Sequence, residues 1–193
     1  TSLEVSGAAH LPESVKSRFL NGSLPEGAAT VLRLEGLAAS VEARLHKLKT
    51  LLAAFGPVIS LERDESRALW REIRDVAPYA GNPSKPLWRV SIAPSQGHKL
   101  VAALRLEAGI DAFYDWQGGL VWMQMEADPE AQLLRGYIRS LGGGHATLLR
   151  ASDDVRRSIP AFEPLNAVEV ALSSRIKQKL DPAGIFNPGR MGI

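Results

Sequence analysis

Cysteine is absent from this 193-residue sequence. Its absence excludes disulfides, cysteine-ligated zinc, iron–sulfur clusters and a thiol nucleophile from the chain. Apolar runs of about 18 residues, which a membrane-spanning helix requires, are also missing. The start, Thr1-Ser2-Leu3-Glu4, has neither the charged nor the apolar region of a signal peptide. These absences favour a cytoplasmic protein and predict no transmembrane segment.

The sequence also lacks a large excess of either positive or negative charge. The 23 basic and 21 acidic residues leave a net charge of only +2 and are spread along the chain. Nucleic-acid binders usually carry a basic stripe, so this distribution predicts that nucleic acid is not a partner. The metalloprotease motif HExxH and the hydrolase motif GxSxG do not occur, and we predict no metal site.

Apolar residues make up 45% of the chain, enough for the core of one domain or of one domain plus a tail. Alternation predicts strands, and spacing by three or four predicts helices. The predicted strands are Ser2–Leu11, Thr30–Glu35, a short β-like stretch Pro57–Leu61, Leu87–Ile92, a hairpin of Ala112–Trp116 and Leu120–Glu126, and His145–Arg150. The predicted helices are Ala39–Phe55, Glu65–Val76, Gly97–Leu106, a helix from Asp128-Pro129 to Leu141, and Asn166–Leu180, with Asp153–Pro164 irregular.

The interleaved strands and helices, together with a hairpin, indicate an α+β fold. We expect a mostly antiparallel sheet with helices packed on one face, built from ferredoxin-like split units. The glycine run Gly142-Gly143-Gly144 has two interpretations, a phosphate-binding loop or the end of a helix. It matches neither GxGxxG nor a P-loop and follows a helix, so the helix end is favoured.

The tail from Asp181 to Arg190 packs two prolines and two glycines into ten residues. By itself it indicates a helix stop and a stiff turn. It also resembles the closing motif of the vanillyl-alcohol-oxidase-type FAD-linked oxidases. Further motifs occur in the order and approximate spacing of the FAD-binding subunit of bacterial glycolate oxidases. They are Leu87-Trp88-Arg89, Asp115-Trp116 with Gly118-Gly119, and Gly143-Gly144-His145-Ala146-Thr147.

This resemblance implies a domain organisation for the chain. In such proteins an N-terminal region binds FAD, a cap domain covers the flavin ring, and the tail returns to the flavin region. Residues 1–180 are then the cap, and residues 181–193 are the tail. The glycine-rich flavin loop is not found here, so FAD is expected in the intact subunit and not on this fragment, which we expect to be inactive alone.

The resemblance also suggests roles for individual residues. Asn187, Gly189 and Arg190 are expected near the flavin. Arg89 is the candidate for binding a substrate carboxylate, and His145 is the candidate proton acceptor. Two alternatives stay open: His145 as a backbone-bonded histidine at a strand edge, and Arg89, like Arg150, as a partner of surface carboxylates.

The implied reaction is oxidation of a small 2-hydroxyacid such as glycolate to the 2-oxoacid. The implied partners are a second flavin subunit and an iron–sulfur subunit, through which a cytoplasmic protein could associate with the inner membrane. Two other functions remain open. The same fold could be a non-catalytic docking module of that complex, or a free-standing ferredoxin-like regulatory or RNA-binding domain.

Overall fold

The computed structural model describes residues 3–186 of the chain. Within this range, six strands and seven helices follow one another. The strands are β1 (Gly7–Leu11), β2 (Ala29–Arg33), β3 (Leu87–Ile92), β4 (Ile110–Asp115), β5 (Leu120–Met125) and β6 (Gly144–Arg150). The helices are α1 (Glu13–Lys16), α2 (Ala38–Leu52), α3 (Arg63–Arg74), α4 (Gly97–Leu104), α5 (Ala131–Ser140), α6 (Asp153–Ser158) and α7 (Ala167–Leu180).

All six described strands form one antiparallel sheet in the order β2-β1-β4-β5-β3-β6. The expected α+β architecture with an antiparallel sheet is therefore confirmed. From β3 to β6 the elements run β-α-β-β-α-β, and the two helices of this unit, α4 and α5, pack together on the sheet. The hairpin of β4 and β5 pairs Ile110 with Met125 at its open end and Asp115 with Leu120 at its turn.

The alternation of side chains along β3 divides the core. Trp88, Val90 and Ile92 belong to a buried cluster that also contains the inner residues of α4 and α5. Leu87 points to the opposite face and joins a second cluster, to which α1 and α3 contribute Val15, Leu69 and Ile73. Helices thus cover parts of both faces, and the second face, beneath α3, is where the candidate site lies.

Two predicted boundaries differ from the structure for backbone reasons. The first strand starts at Gly7, because Glu4 has a φ of 48° and interrupts extension of the preceding residues. Helix α5 starts at Ala131, beyond the predicted Asp128-Pro129 cap, since Glu130 has a φ of 49°. Pro129 lies outside the helix, where its carbonyl accepts the indole N–H of Trp88 at 2.8 Å.

Two predicted segments are wrong. Pro57–Leu61 is not a strand: Val58 and Ile59 favour extended backbone, but no described strand pairs with them and both are exposed. Asp153–Pro164 is not wholly irregular, because α6 forms at its start. The Ser152 hydroxyl caps α6 by accepting the Val155 N–H, and Asp153 and Asp154 lie in the first turn, where the helix dipole favours them.

The outer edge of β6 is covered by the segment that follows α6. The N–H of Leu148 donates to the carbonyl of Ala161 at 2.7 Å. The same segment is held from beneath by Arg135, whose guanidinium donates to the carbonyls of Pro160 and Phe162, each at 2.8 Å. Arg135 also lies 3.3 Å from the Glu163 carboxylate and packs on the Trp88 ring. This buried cation therefore fixes the covering segment to the core.

Helix α7 carries an apolar stripe that no described residue covers. It begins with a complete capping box between Asn166 and Glu169. The stripe consists of Val168 (77% exposed), Leu172 (52%), Ile176 (51%) and Leu180 (76%). No helix among residues 3–186 has the length and apolar character needed to cross a membrane.

After α7, Asp181 organises a turn. Its carboxylate accepts the N–H groups of Ile185 and Phe186 at 2.9 and 3.0 Å and pairs with the Lys177 ammonium at 3.2 Å. Burial opposes ionisation of this side chain, but these donors together lower the pKa of Asp181 below its ordinary value. The first part of the predicted tail is thus a hydrogen-bonded turn attached to α7.

Candidate functional site

Strand register places Arg89 on the second face of the sheet. Its partner across β5 is Trp122, and its partner across β6 is Thr147. Trp122 is part of the second hydrophobic cluster, so Arg89 emerges beside that cluster. Its flat guanidinium lies over the Trp116 ring, with 4.9 Å between the guanidinium carbon and the ring centroid. The stacking orients a cation that is otherwise flexible.

The turn between β4 and β5 presents Trp116. Its ring is 57% exposed. Trp116 and Gln117 have φ values of 50° and 59°, a left-handed conformation that costs free energy in residues with a side chain. The Asp115 carboxylate accepts the Trp116 N–H at 2.7 Å, which stabilises this conformation.

Helix α3 forms the opposite wall. Arg67, Arg71 and Arg74 follow one another at spacings of four and three and therefore lie on one side of the helix. Trp70 lies between them and rests on β1 at Gly7, where an added Cβ would be 3.1 Å from the indole ring. A side chain at that position would push the ring away by a few tenths of an ångström, so glycine allows this close contact.

These elements enclose a cleft of about 650 Å³. Its charged lining residues are Arg33, Arg67, Arg71, Arg74, Arg89, Glu35 and Asp115, and its tryptophans are Trp70, Trp116 and Trp122. Five arginines and two carboxylates line the cleft, so its charged side chains are predominantly positive. The spacing of the α3 arginines was hidden in a nearly balanced total charge, and the absence of a nucleic-acid partner stays a prediction.

Only some of these arginines have carboxylate partners. Arg33 pairs with Glu35 and Arg74 with Asp75, both at 2.7 Å. Within residues 3–186, Arg67, Arg71 and Arg89 make no ion pair closer than 4.0 Å. Asp115 lines the same cleft, and burial raises the pKa of its carboxyl, although the Trp116 N–H acts in the opposite direction. The cleft therefore combines available cations with one carboxyl group that is more easily protonated than usual.

His145 lies on the same sheet face as Arg89, but not in the cleft. Its cross-strand partner is Ser91, so it stands diagonally from Arg89, and its side chain is exposed. The structure thus brings the two predicted catalytic residues onto one face without placing both in the cleft lining. Arg150, the other arginine considered, donates to the Ala80 carbonyl at 3.5 Å. Asn187, Gly189 and Arg190 lie outside the described residues.

Sequence reasoning missed Asp115, Arg67 and Arg71 as site residues. Asp115 appeared only as part of a motif, and its burial in the lining of the cleft depends on the pairing of β4 with β5. The spacing of Arg67 and Arg71 was a signal available in the sequence. Their convergence with Arg89 was not, because it requires α3 to pack over β3 and β5.

The Gly142-Gly143-Gly144 run is a helix end. The N–H of Gly143 donates to the Ile138 carbonyl at 2.9 Å, and that of Gly142 donates to the Arg139 carbonyl at 3.2 Å. These two bonds define a Schellman motif, with Gly142 and Gly143 at positive φ. The favoured interpretation is confirmed, and these amides are used by the protein itself.

A second concavity of about 360 Å³ lies on the other face and is mostly apolar. It brings together His10, His98 and Tyr114. The Nδ1 of His10 is 2.9 Å from the Thr30 hydroxyl, and burial lowers the pKa of His10 and favours its neutral form. His10 is therefore a hydrogen-bonded, partly buried histidine, while the cleft under α3 carries the charged groups.

The fold and the cleft define an α+β domain with a basic, tryptophan-lined cavity on one face of an antiparallel sheet. No family model matches the chain. The chain is similar to the glycolate oxidase subunit GlcE of Escherichia coli (strain K12), with 32% identity over 161 residues. The match covers 83% of this chain and 38% of GlcE. The resemblance to a glycolate oxidase subunit indicated by the sequence motifs is thus confirmed, and the chain spans well under half the length of that relative.

Proposed function

We propose that this chain is the cap and C-terminal part of an FAD-linked 2-hydroxyacid oxidoreductase subunit, with a glycolate-type substrate. Residues 1–180 form the cap and residues 181–193 the tail. The similarity to GlcE supports the class of protein, and its 38% coverage of GlcE fits a part of a longer subunit. The observation that carries the proposal is the position of Arg89, a stacked cation without a described carboxylate partner in the cleft beneath α3.

Oxidation of a 2-hydroxyacid demands three things of the protein. The carboxylate must be held, the hydroxyl proton must be accepted, and water must be kept from the reacting carbon. Arg89 can donate two parallel hydrogen bonds to a carboxylate, and its stacking on Trp116 holds the required plane. Trp70, Trp116 and Trp122 supply apolar walls around the same position.

Two side chains are candidates for accepting the hydroxyl proton. Asp115 lies in the cleft with Arg89, and its raised pKa brings it closer to the range useful for general base catalysis. His145 is on the same face but outside the cleft lining. The geometry therefore favours Asp115, and His145 remains the second candidate.

FAD, when bound, accepts the hydride from the carbon that carries the hydroxyl. The described residues suit covering a flavin ring and not holding the whole dinucleotide. They offer tryptophans and cations on one open face, whereas the glycine run that could have held phosphates is a helix end. Asn187, Gly189 and Arg190 are the proposed contacts to the flavin, and FAD is expected only in the intact subunit.

The apolar stripe of α7 supports a larger assembly. Four large apolar side chains at least half exposed along one helix call for a covering surface. We propose that the flavin-binding part of the subunit covers them. A second flavin subunit and an iron–sulfur subunit are the proposed further partners, in a cytoplasmic complex that associates with the inner membrane through them.

A chimera tests this function. In GlcE, the region that matches this chain is replaced by the aligned residues of this chain. The chimera is then assembled with the other glycolate oxidase subunits. We expect flavin retention and glycolate oxidation, both lower than in GlcE itself. Glycolate oxidation should fall at least about tenfold on Arg89→Ala, while Arg157→Ala, whose side chain on α6 is 76% exposed, should leave it unchanged. If the flavin-loaded chimera oxidised glycolate at the same rate with and without Arg89→Ala, the proposed role of the cleft would be contradicted.

The alternative, a non-catalytic docking module of the same complex, is favoured by the α7 stripe alone. It predicts that the chimera assembles normally and that Arg89→Ala is silent, while polar substitutions on α7 block assembly. The purified 193-residue chain should in either case be colourless. Stoichiometric yellow flavin on it would show that the described face holds FAD by itself.

A further inference from the structure

The cleft contains more positive charge than one carboxylate can use. Its five arginines face two lining carboxylates, Glu35 and Asp115, and the nearby Asp75. This leaves a local excess of two positive charges, and protonation of Asp115 would increase it. A single-carboxylate substrate such as glycolate would neutralise half of that excess.

The unpaired cations come from two different walls. Arg89 belongs to β3, whereas Arg67 and Arg71 project from α3 and are exposed to the cleft. Residues four apart on a helix have Cβ atoms about 5–6 Å apart, so Arg67 and Arg71 can approach one anionic group together. The arrangement provides one anion position at Arg89 and a second at the α3 pair.

We propose that, among the small 2-hydroxyacids of the glycolate type, the cleft prefers a dianion, which has a second carboxylate, to glycolate itself. The carboxylate next to the hydroxyl binds Arg89, and the distal carboxylate binds Arg67 and Arg71. This inference rests on the proposed function, since it takes the cleft as the substrate site. At about 650 Å³ the cleft has room for the longer acid.

An unused donor in the wall is an independent sign of a polar ligand. Trp122 is 8% exposed, and its indole N–H has no hydrogen-bond partner among the described residues. Buried donors are normally paired, and an exception in the wall of a cavity often marks the position of a ligand or water oxygen. Trp122 lies directly across from Arg89 in the strand register, next to the first anion position.

The test measures binding to the purified 193-residue chain by calorimetry at constant ionic strength. The probes are malate as the 2-hydroxy-dicarboxylate, glycolate, inorganic phosphate and a short single-stranded RNA. We expect malate to bind at least about tenfold more tightly than glycolate, since the second charged pair is worth about that much. Phosphate and RNA should bind more weakly than malate.

Substitutions then assign the two positions. Arg67→Gln with Arg71→Gln should reduce malate affinity to that of glycolate and leave glycolate affinity unchanged. Arg89→Gln should lower the affinity for both malate and glycolate. Arg175→Gln is the matched control, because this arginine lies on the exposed surface of α7. Thermal unfolding of each variant checks that it is folded, and Arg67→Lys with Arg71→Lys should restore most of the preference.

Each remaining outcome contradicts the inference in a distinguishable way. Equal binding of malate and glycolate, both sensitive to Arg89, would overturn the dianion preference and leave the proposed function intact. Phosphate or RNA binding tighter than malate would identify a general phosphate surface and overturn both. Absence of binding by any acid would overturn the assignment of the cleft as a substrate site.

Discussion

Arg89 on β3 stacks on Trp116 in the β4–β5 turn, with its guanidinium carbon 4.9 Å from the ring centroid. The turn that presents Trp116 has two successive residues with side chains in the left-handed region. The strained turn is thus used to place a flat aromatic surface beneath a cation. The pair fixes the plane in which a carboxylate can be bound.

Substitution of this pair should affect substrate affinity more than turnover. In the GlcE chimera, Arg89→Lys keeps the charge but loses the planar fork, and we expect the KM for glycolate to rise about 10- to 100-fold. Trp116→Ala removes only the stacking, and its effect should be about two- to fivefold. Steady-state kinetics measures both. A large fall in kcat at unchanged KM would instead show that Arg89 acts on the reacting atoms alone.

Arg135 should be a major contributor to stability. Arg135→Met removes two hydrogen bonds to the carbonyls of Pro160 and Phe162 and the ion pair with Glu163. We expect the free energy of unfolding to fall by about 2–4 kcal/mol. Arg139→Met is the matched control, because the Arg139 side chain is 68% exposed and 4.0 Å from Glu163, and its cost should be under about 0.5 kcal/mol. Equal costs in urea denaturation would contradict this account.

Two glycines should respond in opposite directions. Gly136 lies within α5 with open space where a Cβ would project, so Gly136→Ala should stabilise the fold by about 0.5–1 kcal/mol. At Gly144 the Cβ would lie 2.5 Å from the Ser91 carbonyl oxygen, and φ is 154°. Gly144→Ala should therefore cost about 2–4 kcal/mol. Thermal unfolding of both variants provides the comparison.

The Asp181 turn should depend on pH. Because the pKa of Asp181 is lowered by its donors in the folded state, its contribution is present above the ordinary value of 3.8 and is lost as the pH falls below it. The protection factors of the Ile185 and Phe186 amides, which correct each exchange rate for its intrinsic pH dependence, should thus be high at neutral pH and fall in acid. Asp181→Asn should expose both amides at neutral pH and remove the acid dependence. Asp181→Asn protection at neutral pH equal to that of the unmodified chain would contradict the role of the carboxylate.

The apolar stripe of α7 should matter to assembly and not to the fold of this chain. Leu172→Gln with Ile176→Gln should change the free energy of unfolding of the chain by less than about 0.5 kcal/mol, since both side chains are about half exposed. Leu134→Ala, in the buried core, should cost about 2–5 kcal/mol. In the chimera, the α7 double variant should reduce flavin retention. Unimpaired retention would assign the stripe to another partner.

The sequence predicted the centre of the sheet well because both sides of its strands are constrained. The bounds of β3 were predicted as Leu87–Ile92, where Trp88, Val90 and Ile92 alternate over a buried face. The helix end at the glycines after α5 was also predicted, since these residues satisfy local backbone groups. Such features depend on neighbours in the chain.

The parts that the sequence missed depend on tertiary contacts. Val58 and Ile59 have strand propensity, yet no strand lies beside them, and propensity alone does not form a ladder. Helix α6 was missed because it has a single apolar residue, Val155, and hence no apolar periodicity. Its only signals in the sequence are the Ser152 cap and the charges of its two turns. In the site, Arg89 was predicted from a motif. The distance of His145 from the cleft depends on a register that the sequence does not specify.

The bond between the Leu148 N–H and the Ala161 carbonyl has a consequence for how complexes form. Exposed sheet edges commonly recruit a strand from another protein. Here that route is occupied at β6 by the chain itself. A protein approaching this end of the sheet must therefore recognise side chains instead of extending the backbone ladder at Leu148.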